Sequence, residues 1–483
     1  MKNVLLGLVL LSSLVSAAQS NETKRLDSLT KVYAANGYHG VVRVAKGDQL
    51  IFEKAFGLAN FEKKIPQNPS TLFKTESVGK MFTAVSIFQL IEKGKLRLDQ
   101  TLQELLPAIK IPNADKITVH HLLNHTSGIQ SPWDHPKWQF RKAYSKPELI
   151  KIIEEVPPAF DSVGKEMYYS NSGYILLSYI VEKVSGLAFD DYYRQHIFLP
   201  LAMKDTRHLK DTVMPEKNGA QPYRILSSKK YVRMDETVGP FASGAGGWIS
   251  TAKDLQLFMS ALYKGKLINP SSLQTMFTAN QTAPKDSTYR FYAYGLETYH
   301  NFLIPGTNIY GHNGGGAGFS VDAFADAASG YIVTLCTNQF MNTRPVVENY
   351  FRVMLHQPLK PVAAPGFVRF YDVVEAKGID SVLAKHEQLF KELNIQFHPG
   401  FVVQMSEAFL AAKDYATWEK WMQWSQTKFE GEAFLKAIYA DGLVQTGRKE
   451  EARKMYETAK LQATQKNDQR AAKYAEEKLK ALL

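Results

Sequence analysis

The sequence predicts an α/β protein of the α+β kind, with one large mixed domain followed by a small all-α domain. Three observations lead there. The chain has 483 residues, more than a single typical domain needs. Its composition changes near PLKPVAAPG, residues 358–366: glycine, tyrosine and short strand-like runs stand upstream, while Ala, Glu, Lys and Gln at helical spacing stand downstream. Charge divides at the same place. Of 58 Lys and Arg and 47 Asp and Glu, 18 and 17 lie from Pro361 onward, leaving 40 and 30 upstream, so the large domain carries nearly all of the net +11. The boundaries are therefore set at 21–360 and 361–483.

Residues 1–20, MKNVLLGLVLLSSLVSAAQS, place Lys2 before an apolar run and end it in small residues, which is the pattern of a cleavable signal peptide. A secreted or periplasmic location is expected, with no membrane span in the mature chain. The basic balance suits anionic cell-envelope polymers as well as plain solubility. The basic residues are dispersed and match no nucleic-acid module, so a nucleic-acid partner is not expected. The single cysteine, Cys336, lies in the strand-like run YIVTLC; it excludes a disulfide within the chain and reads as buried.

The tetrapeptide SVGK occurs at Ser77–Lys80 and again at Ser162–Lys165. The spacing S-x-x-K also begins at Ser28, Ser227, Ser250 and Ser425, so context must choose among six copies. After Ser77, the residues Val78, Met81, Phe82, Val85, Phe88 and Ile91 fall at helical intervals and Gly94 stands where a helix stops. One turn apart on a buried helix, Ser77 and Lys80 share a face. The positive end of the helix favours an alkoxide, and apolar surroundings lower a lysine's pKa until it can accept a proton. The copy at 162–165 is punctuated by Pro157, Pro158 and Gly164 and has no apolar stripe after it, so it reads as a turn facing solvent.

That turn leads into YSNSGY, where Tyr169 and Asn171 offer a phenol and a carboxamide from one short segment. Far downstream, GHNGGG sets His312 before Gly314 and Gly315, and glycines let a strand edge approach a ligand closely. The ordered set S-x-x-K, Y-x-N, H-x-G resembles the serine β-lactamase and penicillin-binding-protein superfamily, and within it the class C-related peptidases and esterases. LLNHTSGI (122–129), GGWISTAKDLQLFM (246–259) and the early hairpin VVRVAKGDQLIFEKAFG support the match, which covers about residues 28–355.

The resemblance implies a five-to-nine-stranded antiparallel sheet flanked by helices, with an inserted helical region that carries Tyr169. It makes Ser77 the acylated nucleophile, Lys80 its activator, Tyr169 the base and later acid, and Asn171 an orienting amide. His312, Gly314 and Gly315 would line the substrate, with the N–H groups of Ser77 and Gly315 as oxyanion donors. It implies no metal and no organic cofactor. Where many β-lactamases have lysine, this chain has His312, which is mostly neutral at pH 7 and attracts a substrate carboxylate less; that favours a peptidase, amidase or esterase. The expected substrate is a small molecule or peptide, such as a cell-wall-derived D-amino-acid amide, a small ester or a β-lactam. The alternative is a penicilloyl- or muropeptide-binding sensor, or a scaffold, with little turnover.

Two other patterns are expected to be structural. His121 and His125 have the i, i+4 spacing of a zinc pair but lack the intervening glutamate, so a hydrogen-bonded role fits them better. Trp418, Trp421 and Trp424 recur every three residues and read as core rather than a sugar platform. In the tail, LAAKDYATWEKWMQW matches LVQTGRKEEARKMYE at an offset of 33, Leu410 over Leu443 and Met422 over Met455. Paired helices at this period resemble tetratricopeptide-like repeats, which either bind a protein partner or cap the fold.

Overall fold

The early hairpin builds two strands at one side of the main sheet in the computed structural model: β1 (Gly40–Lys46), a mostly apolar run buried on both faces, and β2 (Gln49–Phe56), in which apolar and polar residues mix at the sheet's edge. The structure describes residues 21–135, 138–139, 142–208, 214–215, 217–234, 243–278, 281–282, 291–300, 303–316 and 318–482. The segment read as a signal peptide, residues 1–20, lies outside them. Six further strands complete the sheet: β3 (Gln281–Thr282), β4 (Phe291–Tyr292), β5 (Glu297–His300), β6 (Asn308–Gly316), β7 (Phe319–Asp326) and β8 (Tyr331–Thr337). Their order is β3-β4-β5-β6-β7-β8-β1-β2, antiparallel throughout. The α+β class and the helix-flanked antiparallel sheet are thus as expected.

Both faces of the sheet are covered. Val42, Val44, Val333 and Leu335 point to one core, filled from residues 21–35 by Leu26 and Tyr33 and from the helix Arg344–Met354 by Val347 and Phe351. Val41, Val321, Ala323 and Cys336 point to the other, where the helices Gly79–Glu92, Asn171–Ser185 and Ala252–Tyr263 pack. Cys336 is fully buried, and burial pushes its thiol pKa up, so no thiolate forms there near neutral pH.

One detail of the ladder matters for the site. Pairing between β5 and β6 ends at Glu297 opposite Gly311, although β6 runs on to Gly316. Beyond that point a side chain replaces the strand: Asn313 N donates to Glu297 Oε1 at 3.1 Å. N–H groups two residues apart point the same way. The N–H of Gly315 is therefore directed off the same open edge.

The described chain forms two compact units, one running to Tyr223 and again over Arg233–Ala363, the other comprising Arg224–Val232 and Ala364–Leu483. The second is helical, with successive helices Pro399–Ala411, Tyr415–Lys428, Ala433–Gln445 and Lys449–Gln465. Trp418 and Trp421 are buried in its core; their indole N–H groups donate to Ser406 Oγ and Val402 O, which makes them packing residues. The repeat is present, but its register shifts by one residue. Asp414 N donates to Phe409 O and Arg448 N to Leu443 O, each closing a helix through a left-handed residue, Lys413 and Gly447. These turns superpose Phe409, not Leu410, on Leu443, because Phe409 is the buried residue of that pair.

The short segment 224–232 belongs to this helical unit. Leu226 lies in its core beside Tyr371, Ser228 N donates to Asp372 Oδ1 at 2.8 Å, and Lys230 pairs with Glu375 at 2.7 Å. A chain ending at Ala363 therefore loses the cover of Leu226, about 1.5–3 kcal/mol of burial. Limited proteolysis is expected to cut such a truncation within 224–232 and to spare the full chain there; equal resistance would contradict this. No helix among the described residues is long and apolar enough to cross a membrane.

Candidate active site

Ser77 sits in a single 3₁₀ turn, Glu76–Val78, that runs directly into the buried helix Gly79–Glu92. The preceding residue, Glu76, has φ +47°, a left-handed conformation that a non-glycine residue adopts only at a cost of order 1 kcal/mol or more. The turn presses on β6: a methyl group on Gly314 would lie 2.1 Å from Thr75 O and 3.0 Å from Ser77 N. Only a glycine permits that approach. It brings the half-buried Ser77 to the open edge where Gly315 N–H emerges.

Lys80 has no exposed surface. Its Nζ lies 3.0 Å from Ser77 Oγ, 2.7 Å from Asn171 Oδ1 and 2.8 Å from Ala245 O. Desolvation lowers its pKa well below that of a free lysine, and Glu76 and Glu297 offset only part of this. The ammonium position also lies 4.8 Å from the centre of the Tyr169 ring. Asn171 begins the helix Asn171–Ser185, which Ser170 caps by accepting from Gly173 N. Both Asn171 N and Nδ2 donate to Ser131 Oγ, at 3.1 and 3.3 Å, so the carboxamide oxygen is turned to Lys80. Four of the expected residues, Ser77, Lys80, Tyr169 and Asn171, thus share one cluster.

His312 is placed differently from the other three-letter motif positions. It is wholly buried, with ring centres 6.3 Å from Tyr169 and 5.7 Å from Tyr292. Its Nδ1 faces the carbonyl of Asn313, which can only accept, so the proton is on Nδ1 and Nε2 accepts from Tyr292 O–H at 3.0 Å. Burial, and then the nearby Lys80, push its pKa down to about 3. The imidazole is therefore neutral at physiological pH, while Gly315, two strand positions beyond Asn313, is exposed.

His125 is a residue that motif reading did not connect to this cluster. Its carbonyl accepts from Tyr168 N at 2.9 Å and its Nδ1 from Ser170 N at 3.1 Å, so it grips the chain on both sides of Tyr169. Its ring lies 4.4 Å from the Tyr169 ring, and its own φ is +63°. His121 instead turns its Nδ1 to Thr118 N, 3.1 Å away, so the two histidines serve separate hydrogen bonds as expected. No group of three or more potential metal ligands occurs among the described residues. The second SVGK is a turn: Ser162 Oγ donates to Glu166 and Lys165 is exposed.

A buried lysine bridging a helix-start serine and an asparagine amide, set against the edge of an antiparallel sheet, defines the β-lactamase and penicillin-binding-protein-like serine hydrolase superfamily. The chain belongs to the Beta-lactamase family, whose model matches residues 26–357. It is 30% identical over 274 residues to penicillin-binding protein 4* of Bacillus subtilis (strain 168), a match covering 54% of this chain and 60% of that relative, less than two-thirds of its length. Among solved structures it is similar to a penicillin-binding protein from Bacillus halodurans, at 26% identity and TM-score 0.58, over 68% of this chain and 97% of that one. It is also similar to a D-stereospecific amidohydrolase from Streptomyces sp., at 26% identity and TM-score 0.56, over 66% and 94%.

Proposed function

We propose that this protein is an exported serine hydrolase that cleaves esters or amides, D-amino-acid derivatives among them, through an acyl-enzyme on Ser77. The hydrolase domain in this reading is 21–360, exported by the segment 1–20 and followed by the helical domain 361–483. The observation that carries the reading is the set of three contacts made by Lys80 Nζ. Two of its neighbours, Asn171 Oδ1 and Ala245 O, are carbonyl oxygens and only accept. A neutral amine has two N–H groups and one lone pair. Donating to both carbonyls leaves the lone pair for the third neighbour, the Ser77 hydroxyl.

Lys80 then takes the Ser77 proton as Oγ attacks the substrate carbonyl, giving a tetrahedral oxyanion. Ser77 N–H and Gly315 N–H stabilise that charge, helped by the positive end of the helix beginning at Gly79. Tyr169, held at both sides by His125, relays to the departing amine or alcohol the proton that Lys80 took from Ser77, so both groups return to their resting states. Water completes the cycle by the reverse proton path. The Streptomyces amidohydrolase, named for D-stereospecificity, supports amides as one substrate class.

The test is to incubate the protein with a fluorophosphonate, an activated nitrophenyl ester and a fluorescent penicillin, and to locate the label by peptide mass spectrometry. Label on Ser77 together with sustained ester turnover is the expected result. Label on another serine would overturn the reading, and stoichiometric Ser77 label without turnover would favour the penicilloyl-binding sensor.

A further inference from the structure

Phe340, just after β8, is 54% exposed, an unusual state for a residue whose chain neighbours are fixed. On one side Thr337 Oγ1 donates to Gln339 O at 3.1 Å, and the Gln339 amide donates to Gly37 O at 2.8 Å and accepts from His39 N at 3.0 Å. On the other side Met341 N donates to Ser320 Oγ at 3.0 Å, and that hydroxyl donates to Met341 O at 2.9 Å. Ser320 is the β7 partner of Gly315. The phenyl ring is thereby held over Gly315: a methyl group there would lie 2.9 Å from Phe340 Cε2. An apolar ring is thus kept in water, beside the residue whose N–H faces the open edge next to Ser77.

Charge around this spot is unwelcoming to anions. Lys80 and His312 have no exposed surface, and Arg344 lies 3.4 Å from Glu297 with its guanidinium over the Tyr299 ring. At the end of β6, a methyl on Gly316 would lie 3.6 Å from the Glu76 carboxyl carbon, so a carboxylate flanks the strand; its ion-pair partner Lys74, 3.5 Å away, is itself buried. A negatively charged substituent at this position would meet Glu76, while the cations Lys74, Lys80 and Arg344 are buried or already paired.

We infer that Phe340 forms the wall of a subsite for a neutral, apolar substituent of the substrate beside the scissile carbonyl. This rests on the acyl-enzyme reading of Ser77. The substrates selected are esters or amides bearing an uncharged alkyl or aryl group at that place, in preference to peptides ending in a free carboxylate. Gly315 leaves the room that the ring occupies, and the substituent covers the exposed face of the ring on binding.

The experiment uses the full chain and two matched substrate pairs: nitrophenyl butyrate with nitrophenyl hemisuccinate, and the benzyl and carboxymethyl esters of D-alanine. The wild type is expected to favour the neutral member of at least one pair by about tenfold or more in kcat/KM, the range that an apolar pocket supplies. Phe340→Leu keeps that preference, and Phe340→Ser brings the ratio near unity by lowering turnover of the neutral member. Preference for the anionic member of both pairs, or ratios that Phe340→Ser does not move, would overturn the subsite while Ser77-dependent turnover persists. Turnover that survives Ser77→Ala, or none of any substrate, defeats the acyl-enzyme reading itself and the subsite with it.

Discussion

Ser77→Ala is expected to lower kcat for an activated ester by about 10⁶-fold, the scale seen when the nucleophile of a serine hydrolase is removed. Ser162→Ala, in the other SVGK, is expected to leave kcat within about twofold. The difference lies in what each hydroxyl touches. Ser77 Oγ is 3.0 Å from a buried lysine, whereas Ser162 bonds to the surface Glu166. Both variants remove a single hydroxyl from a position that is not fully buried, so unfolding free energies should change by no more than about 1 kcal/mol. Burst-phase kinetics with a nitrophenyl ester, beside denaturant melts of the same samples, separate chemistry from folding. Ordinary turnover by the Ser77→Ala enzyme would mean that Ser77 is not the nucleophile.

Lys80→Met replaces the amine by a chain of similar length and is expected to lower kcat by about 10² to 10⁴-fold, the contribution of a positioned general base. The same variant tests the lowered pKa. Above its folded pKa Lys80 is neutral in the native state, while the unfolded lysine holds its proton up to the ordinary value of 10.5. Between those limits the unfolded state binds more protons, so stability rises with pH and is lost as pH falls toward the folded pKa. The wild type should show this slope relative to Lys80→Met in melts from neutral to alkaline pH. Its kcat/KM should climb through the same folded pKa and level off well below pH 10.5. Identical stability slopes in the two proteins would mean that Lys80 stays charged in the fold.

Much of this site is legible in the sequence because its side chains have distinctive chemistry at fixed offsets. Ser77 and Lys80 are a helical turn apart, and Tyr169 and Asn171 straddle a helix cap, so local geometry is implied by spacing. The rest has no such mark. Ala245 contributes only a carbonyl oxygen, which every residue possesses, and Ser131 is one hydroxyl in a loop. His125 sits in a quoted motif, yet its grip on Tyr168 and Ser170 depends on a left-handed turn that the letters do not announce. Glu297 replaces a missing strand by a side chain, and nothing in its neighbours foretells that. In the helical unit the 33-residue match chose Leu410 because it is chemically like Leu443; burial chose Phe409. The join of 224–232 to that unit was invisible for a related reason, since long-range packing leaves only a few apolar letters such as Leu226.

The acceptors of Lys80 lie 91 and 165 residues further along the chain. Ser77 and Lys80 are made within three residues of one another, but a partly synthesised or unfolded chain leaves the amine hydrated, protonated and ordinary in its basicity. The lowered basicity appears only when distant segments close over that amine and take it out of water. Ser77, the proposed nucleophile, is armed only once those long-range contacts have formed.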